Sequence, residues 1–327
     1  MITTMEREMI RSGDTTQIWA MSDGRAGNAR QADALAAALG GPARTLLLAP
    51  RAPWRWAAPR RLPGAHAGFG PEFATARATP PALAIGCGRQ AALATRLLRD
   101  GGSAAVQILD PRIDPRHWDL VVVPDHDGLT GSNIVTLLGS LHPVDDAWLQ
   151  RARIDHPGPG LLPGPRTALL VGGPTANAPW TATHLDALLG RLLEARAREQ
   201  GSVLATTSRR TPPGLVELLR RRLAGVPGLL WTAGEDANPY PGLLAWADRI
   251  VCSPDSVNMV SEACATRAPV HVFEAALARS RPGRFLGALA ARGRLAALDA
   301  APDPAIEPLR ETARVAGQVR ARLGLPG

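Results

Sequence analysis

The 327-residue chain contains no lysine: all 37 of its basic residues are arginine, and against 29 acidic residues they leave a formal charge of +8. That sign favours anionic partners, although a composition so rich in Arg, Ala, Gly and Pro also fits a GC-rich genome. One tyrosine and four phenylalanines are too few to stack bases along an RNP-like strand, and there is no zinc finger or basic heptad run, so nucleic acid is not an expected partner. The three cysteines, Cys87, Cys252 and Cys264, have apolar neighbours and no CxxC spacing, which excludes a disulfide framework and a zinc site and points to a reducing cytoplasm. Apolar runs such as 120–124 and 168–173 fall far short of the ~18 residues of a spanning helix. Residues 1–16, with Glu6, Glu8 and Asp14, lack the apolar centre of a secretory leader and read as a frayed end. GxSxG, HExxH, GK[ST] and kinase signatures are missing, which removes the commonest hydrolase, metalloprotease and NTPase readings.

What is present is alternation. With 45% hydrophobic and 20% charged residues, a chain of this length suits two domains at roughly 150 residues each. Residues 18–22 read as a buried strand, 23–28 as a glycine-bearing turn, and Ala32, Leu35, Ala36 and Leu39 as one helix face. Similar units follow: strands 45–49, 81–88, 104–109 and 120–124, with a helix over 90–99. A second series runs through strands 167–171, 202–206, 228–232, 249–253 and 270–273 and helices 181–200, 213–224, 240–247 and 256–266. Strands that alternate with helices predict parallel sheets. The fold class is therefore α/β, with two Rossmann-like parallel-sheet domains, residues 1–155 and 166–300, facing across a cleft. The Pro/Gly-rich stretch 151–165 reads as the linker. A last helix, 306–323 within the segment 301–327, carries Leu309, Ala313, Ala316 and Leu323 on one stripe and is expected to pack back on the first domain. Ligands of such sheets sit outside the carboxyl ends of the strands, which directs attention to strand ends.

In the second half, ADRIVCSPDSVNMVSEACATRAPVHVF ends a strand near Ser253 and opens a helix beneath Asp255 and Ser256, with Ser256 as its cap. A helix start attracts an anion such as a diphosphate, and Asn258 and Glu262, four apart, share a face beside it, where the glutamate can accept from ribose hydroxyls. A plain cap with a solvated glutamate fits that stretch equally well. Gly172 and Gly173 let backbone approach a phosphate, as any glycine turn would. Ser208, Arg209 and Arg210 suit phosphate oxygens, while Asn238 and Tyr240 lie in a loop able to border a nucleobase. In the first half, SDGRAGNARQ gathers Asp23, Gly24, Arg25, Asn28 and Gln31 around a glycine turn that lacks GxGxxG order, so a dinucleotide fingerprint is not supported and Asp23 is a candidate base. IGCGR supplies Arg89. VVPDHDGLTGSN supplies His126, Asp127 and Asn133, which read as a polar cleft wall, since consecutive residues of an extended chain alternate direction and cannot close a metal shell alone. Residues 51–63, with four arginines, Trp54 and Trp56, read as a basic surface loop with the makings of a lipid-headgroup patch.

Taken in order, DGRAGNARQ, PALAIGCGRQ, VQILDPR, VVVPDHDGLTGSN, SRRTP, NPY and DSVNMVSEACATRAPVHVF resemble the mitochondrial-fission family of elongated-mitochondria (ELM-type) proteins, known from plants and abundant in proteobacteria. The second half is also similar, more distantly, to the donor domain of GT-B glycosyltransferases. The resemblance implies a bacterial member with a GT-B-like fold that takes a nucleotide-diphosphate sugar as co-substrate, with no cofactor or metal required. It implies a donor site of Gly172, Gly173, Ser208, Arg209, Arg210, Asn238, Tyr240, Asp255, Ser256, Asn258, Met259 and Glu262. Asp23, Arg25 and His126 would be catalytic, with Asp23 standing where GT-B enzymes carry a histidine loop, and Gly24, Asn28, Gln31, Arg89, Asp127 and Asn133 would face an anionic or lipid-linked acceptor at the inner face of the membrane. Two alternatives share the fold: a catalytically inert scaffold that binds a protein or membrane partner, and a nucleotide-sugar epimerase.

Overall fold

A computed structural model describes residues 17–235, 237–301 and 303–325; the expected frayed start, residues 1–16, lies outside the described residues. The chain divides after Pro143 and again after Arg310 into two compact units: Val144–Arg310 forms unit 2, and the residues before and after it form unit 1.

In unit 1, short runs of buried apolar residues supply the inner strands, as expected where both faces of a parallel sheet are covered, while the two edge strands are partly exposed. The strands are β1 (Ile18–Ser22), β2 (Ala43–Leu47), β3 (Leu83–Cys87), β4 (Ala104–Ile108), β5 (Leu120–Pro124) and β6 (Ile134–Leu137), in the spatial order β2-β1-β3-β4-β5-β6. All neighbours are parallel, with Ala20 registered between Thr45 and Ile85. Helices α1 (Ala26–Ala38), α2 (Pro71–Ala78) and α3 (Arg89–Asp100) complete the first series. Ala32, Leu35, Ala36 and Leu39 of the α1 face join Ile18, Ala20, Leu83 and Ile85 in one core. The loop over residues 51–63 is partly folded inward: Trp54 Nε1 donates to Pro63 O at 3.0 Å, while Trp56 is 66% exposed.

Unit 2 carries α4 (Asp146–Asp155), β7 (Arg166–Val171), α5 (Ala182–Glu199), β8 (Ser202–Thr207), α6 (Pro213–Leu223), β9 (Gly228–Trp231), α7 (Tyr240–Trp246), β10 (Arg249–Cys252), α8 (Val257–Cys264), β11 (Val270–Val272) and α9 (Ser280–Ala291). Its parallel sheet runs β11-β10-β7-β8-β9. Leu169, Val171, Leu185, Leu189, Val203 and Val251 fill the core, with Trp180 edge-on to Phe273 at 5.3 Å. The stretch 151–165 is not a linker. Its first residues end α4, whose start is capped by Asp145 accepting from Trp148 N at 2.7 Å. The rest is bound to unit 2: Arg166 holds Gly160 O and Leu162 O, and Ser202 Oγ donates to Pro163 O at 2.7 Å. Proline and glycine here shape a packed turn, and the division between units falls earlier, between Pro143 and Val144.

The chain then returns to unit 1 through α10 (Thr312–Leu323). This helix begins six residues later than the sequence pattern predicts, because Leu309 is tied to unit 2 by its N–H donating to Cys264 O at 2.8 Å. The buried row is Val315, Ala316 and Val319, whereas Ala313 is exposed. That row completes the core shared by α1, β1 and β3.

Candidate functional site

Strand order locates the ligand crevices. In unit 2 the chain moves outward from β7 to β8 and β9 on one side and through β10 to β11 on the other, so the switch point lies between the carboxyl ends of β7 and β10. In unit 1 it lies between β1 and β3 by the same rule.

At the unit 2 switch point three loops are bonded together around one carboxylate. Asp255, its side chain wholly buried, accepts from Gly173 N at 3.0 Å, Trp180 Nε1 at 3.2 Å, Ser253 Oγ at 2.7 Å and Arg210 Nη2 at 3.1 Å. Gly172 N donates to Ser253 Oγ at 2.8 Å. Thr211 Oγ1 donates to Gly172 O at 2.6 Å and accepts from Ser208 N at 2.9 Å. The glycine pair is required by this closeness: a Cβ at Gly172 would lie 2.2 Å from Asp255 Oδ2, and one at Gly173 would lie 2.2 Å from Arg210 O. Asp255 therefore organises the loops from inside, while Arg210, held by it, keeps its guanidinium 54% exposed.

Beside this cluster α8 starts with Ser256, whose Oγ accepts from Met259 N at 3.4 Å, and Asn258 and Met259 are half-buried on its first turn. Glu262 is buried, and its Oε2 accepts from the Tyr240 hydroxyl. It is no solvated surface glutamate. Asn238 is exposed and accepts from Tyr240 N at 3.0 Å, which fixes the start of α7. Burial raises the Cys252 thiol well above its ordinary value, with Cys264, Asp255 and Glu262 adding to the effect, and burial raises Cys264 to about 11. Both thiols are neutral core groups. Ser253, Trp180 and Thr211 were not legible as site residues. A tryptophan seven residues past a glycine pair carries no local signal, and only the fold brings its indole to Asp255.

At the unit 1 switch point Asp23 Oδ1 accepts from Asn28 Nδ2 at 2.9 Å and from Arg25 N at 3.3 Å. Arg25 Nε lies 3.7 Å from Asp23 Oδ2, with its side chain 83% exposed. Gly88, at φ +90°, brings the β3 turn so close that a Cβ would meet Asn28 Nδ2 at 2.5 Å, and Gly24, at φ +78°, abuts Leu47. Burial, and then the neighbouring Asp23, push the Cys87 thiol well above its ordinary value. Gln31 is buried and donates to Gly27 O at 3.3 Å; Arg89 is exposed and reaches Arg55 O at 3.5 Å. His126 and Asp127 do not join this group. They follow β5, three strands from β1, or about 14 Å at the spacing of a sheet, and they face each other at 3.9 Å, nearly buried. Asn133 Nδ2 donates to Pro115 O and Trp118 O at 2.8 and 3.0 Å, which makes it a loop anchor. Among the described residues no group of three or more His, Cys, Asp or Glu side chains is arranged to hold a metal ion, and no helix is long and apolar enough to cross a membrane.

Two Rossmann-like parallel-sheet units with loop clusters at their switch points define a GT-B-type architecture. Solved structures match it over nearly the whole chain. A UDP-GlcNAc 2-epimerase from Methanocaldococcus jannaschii has a TM-score of 0.55 and 13% identity, covering 93% of this chain and 99% of its own. The S. aureus MnaA–UDP co-structure has a TM-score of 0.51 and 11% identity, covering 95% and 98%. A Neisseria meningitidis UDP-GlcNAc 2-epimerase bound to UDP-GlcNAc has a TM-score of 0.51 and 10% identity, covering 94% and 99%. At such identities the likeness is one of fold. Sequence places the chain more narrowly: it belongs to the mitochondrial fission ELM1 family, whose model matches residues 26–323. The mitochondrial fission protein ELM1 of Arabidopsis thaliana is 30% identical over 278 residues, 76% of this chain, and the chain spans 65% of that relative's length.

Proposed function

We propose that unit 2 binds a nucleotide-diphosphate sugar at its switch point and that the protein is a GT-B-type glycosyltransferase whose acceptor site is on unit 1. The observation that carries this reading is the closure of three loops around buried Asp255, which leaves the Arg210 guanidinium and the start of α8 together at one set of strand ends. A helix start and a fixed arginine are what a diphosphate leaving group needs, both to bind and to depart, while the Gly172 and Gly173 N–H groups are taken up by Ser253 and Asp255 and hold the loops. Ser208 and Arg209 extend the anion site, and Ser256, Asn258 and Met259 form its α8 wall. The buried Tyr240–Glu262 pair fixes α7 against α8 behind this wall.

On unit 1, Asp23 is the general base and Asn28 its orienting partner, with Arg25 at the rim. The arginines of residues 51–63 around exposed Trp56 suit an anionic or lipid-linked acceptor and a peripheral position on the inner membrane face. The likeness in fold to UDP-GlcNAc 2-epimerases favours a second reading, nucleotide-sugar epimerisation, which uses the same donor site; analysis of the sugar product separates the two.

The test is thermal stabilisation by uridine, guanosine, thymidine and cytidine diphosphate sugars, with Arg210→Ala and Glu262→Gln as controls. One base class should stabilise the wild type, by about 2.7 kcal/mol at 100 times its Kd, and both variants should lose the shift. No shift with any of the four overturns the reading and leaves the inert scaffold.

A further inference from the structure

Tyr240, expected to border a nucleobase, is buried and engaged with Glu262, and Asn238 spends its side-chain oxygen on the start of α7. The open space lies on the other side of the β9–α7 loop. A groove of about 620 Å³ runs over the carboxyl ends of β8 and β9, walled by the first turns of α6 and by residues 232–234. Its apolar wall is Trp231, Val216 and Pro213, and its polar wall includes Thr207, Ser208 and Arg209. That volume and that mixture, one flat aromatic surface with a few hydroxyls and a cation at the mouth, suit a small planar ligand carrying negative charge.

Two features make the groove a built site. Arg220, on its α6 wall, is fixed by Glu217 Oε1 at 2.7 Å and by Thr232 Oγ1 at 3.4 Å, and Glu235 accepts from Thr232 N at 3.0 Å. The Arg220–Thr232 bond joins α6 to the turn opposite, and the other two fix its ends, Arg220 on α6 and Thr232 in the turn. Its other end is continuous with the anion cluster, because Ser208 and Thr211 line both. From the end of β7 to the end of β9 is two strand spacings, about 10 Å. Within the loop Ser208–Thr211, Arg210 turns to Asp255 and Arg209 is at the groove.

We infer that this groove seats the nucleobase of the nucleotide, stacked on Trp231 and flanked by Arg209, so that the ligand runs along the strand ends from the glycine pair toward β9. The inference rests on the reading of unit 2 as a nucleotide-diphosphate-sugar site and adds where the base lies and what holds it. Trp231 then tells a nucleotide from bare diphosphate: it acts on the base and not on the phosphates.

The test compares the full chain with Trp231→Ala, Trp231→Phe and Arg210→Ala by calorimetric titration against the nucleoside diphosphate that stabilises the wild type, and against inorganic diphosphate. Loss of an aromatic base platform should weaken the nucleoside diphosphate about tenfold in Trp231→Ala, with inorganic diphosphate unchanged and Trp231→Phe restoring most of the loss. Arg210→Ala should weaken both ligands. If Trp231→Ala binds the nucleoside diphosphate as the wild type does, or loses both ligands alike, the base is not seated on Trp231 and this inference falls while the site at the glycine pair stands. If the wild type binds no nucleotide, the underlying reading falls, and this one with it.

Discussion

Single residues in this protein divide into those that hold the site and those left over to act. Asp255 is of the first kind: four donors from three loops end on one buried carboxylate. Asp255→Ala would orphan the Gly173 N–H and the Trp180 indole N–H, and each buried donor left unsatisfied costs ~1–3 kcal/mol. We therefore expect a loss of about 3 kcal/mol or more in the urea unfolding of unit 2, followed by tryptophan fluorescence, and an equally stable variant would contradict the geometry. Asp23, the proposed base, is of the second kind. Asn28 and Arg25 orient its carboxylate, and the side chain keeps 11% of its surface open, so Asp23→Asn should lower turnover at least tenfold while donor affinity by calorimetry stays within twofold of the wild type. A general base contributes typically 10²–10⁴-fold, so unchanged turnover would remove Asp23 from that role.

At the scale of elements, tight and loose backbone can be told apart by one atom. A methyl at Gly173 would strike the Arg210 carbonyl, whereas one at Gly287, within α9, meets nothing within 4 Å. Gly173→Ala should destabilise unit 2 and abolish nucleotide binding, while Gly287→Ala should stabilise by about 0.5–1 kcal/mol through helix propensity; equilibrium unfolding of both variants checks the contrast. β11 adds a pH response. Burial lowers the pKa of His271 below 6.5, with Arg191 contributing in the same direction against the Ala296 carbonyl and Asp299. The unfolded chain then binds the proton more readily, so this contribution is present above pH 6.5 and is lost as pH falls below it. His271→Gln should flatten the stability profile between pH 7.5 and 5, and an unchanged acid slope would refute this. These elements also show what sequence reading can reach. Strands with a continuous apolar core were legible because burial on both faces leaves no polar interruption, 18–22 and 120–124 to the residue and the one expected over 81–88 as Leu83–Cys87. β6 was not, since Thr136 is exposed on a four-residue edge strand, and α4 was hidden behind the prolines that follow it. In the site, the meeting of DSVNMVSE and the glycine pair at strand ends was legible. The role of Asp255 was not, because burial and the arrival of Trp180 from 75 residues away are properties of the fold alone.

The molecule as a whole is two units that the chain enters out of order, and its last helix belongs to the first unit. Val315, Ala316 and Val319 are buried in the same core as β1, β3 and α1. The start of that helix is tied in by polar bonds as well: Leu138 N donates to Glu311, His142 N and Thr312 Oγ1 bond at 3.1 Å, and Arg314 Nη2 donates to Thr136 O at 2.8 Å. A chain ending at Arg310 would lack all of these. The two valines alone are worth about 3 kcal/mol or more of buried apolar surface, a large share of a marginally stable domain, and the truncation also uncovers α1 and β6. Unit 2 keeps its own core and every residue of the proposed donor site, because Leu309 and Arg310 are the last residues bonded to it. The expected outcome is a split response: amides of β1 and β3 lose hydrogen-exchange protection, while those of β7 and β10 keep it and nucleotide affinity persists. Retained protection in β1 would mean that unit 1 is stable without its returning helix. Loss of protection in both units would mean that they fold as one cooperative body, and that the donor site depends on the last helix although none of its residues comes from it.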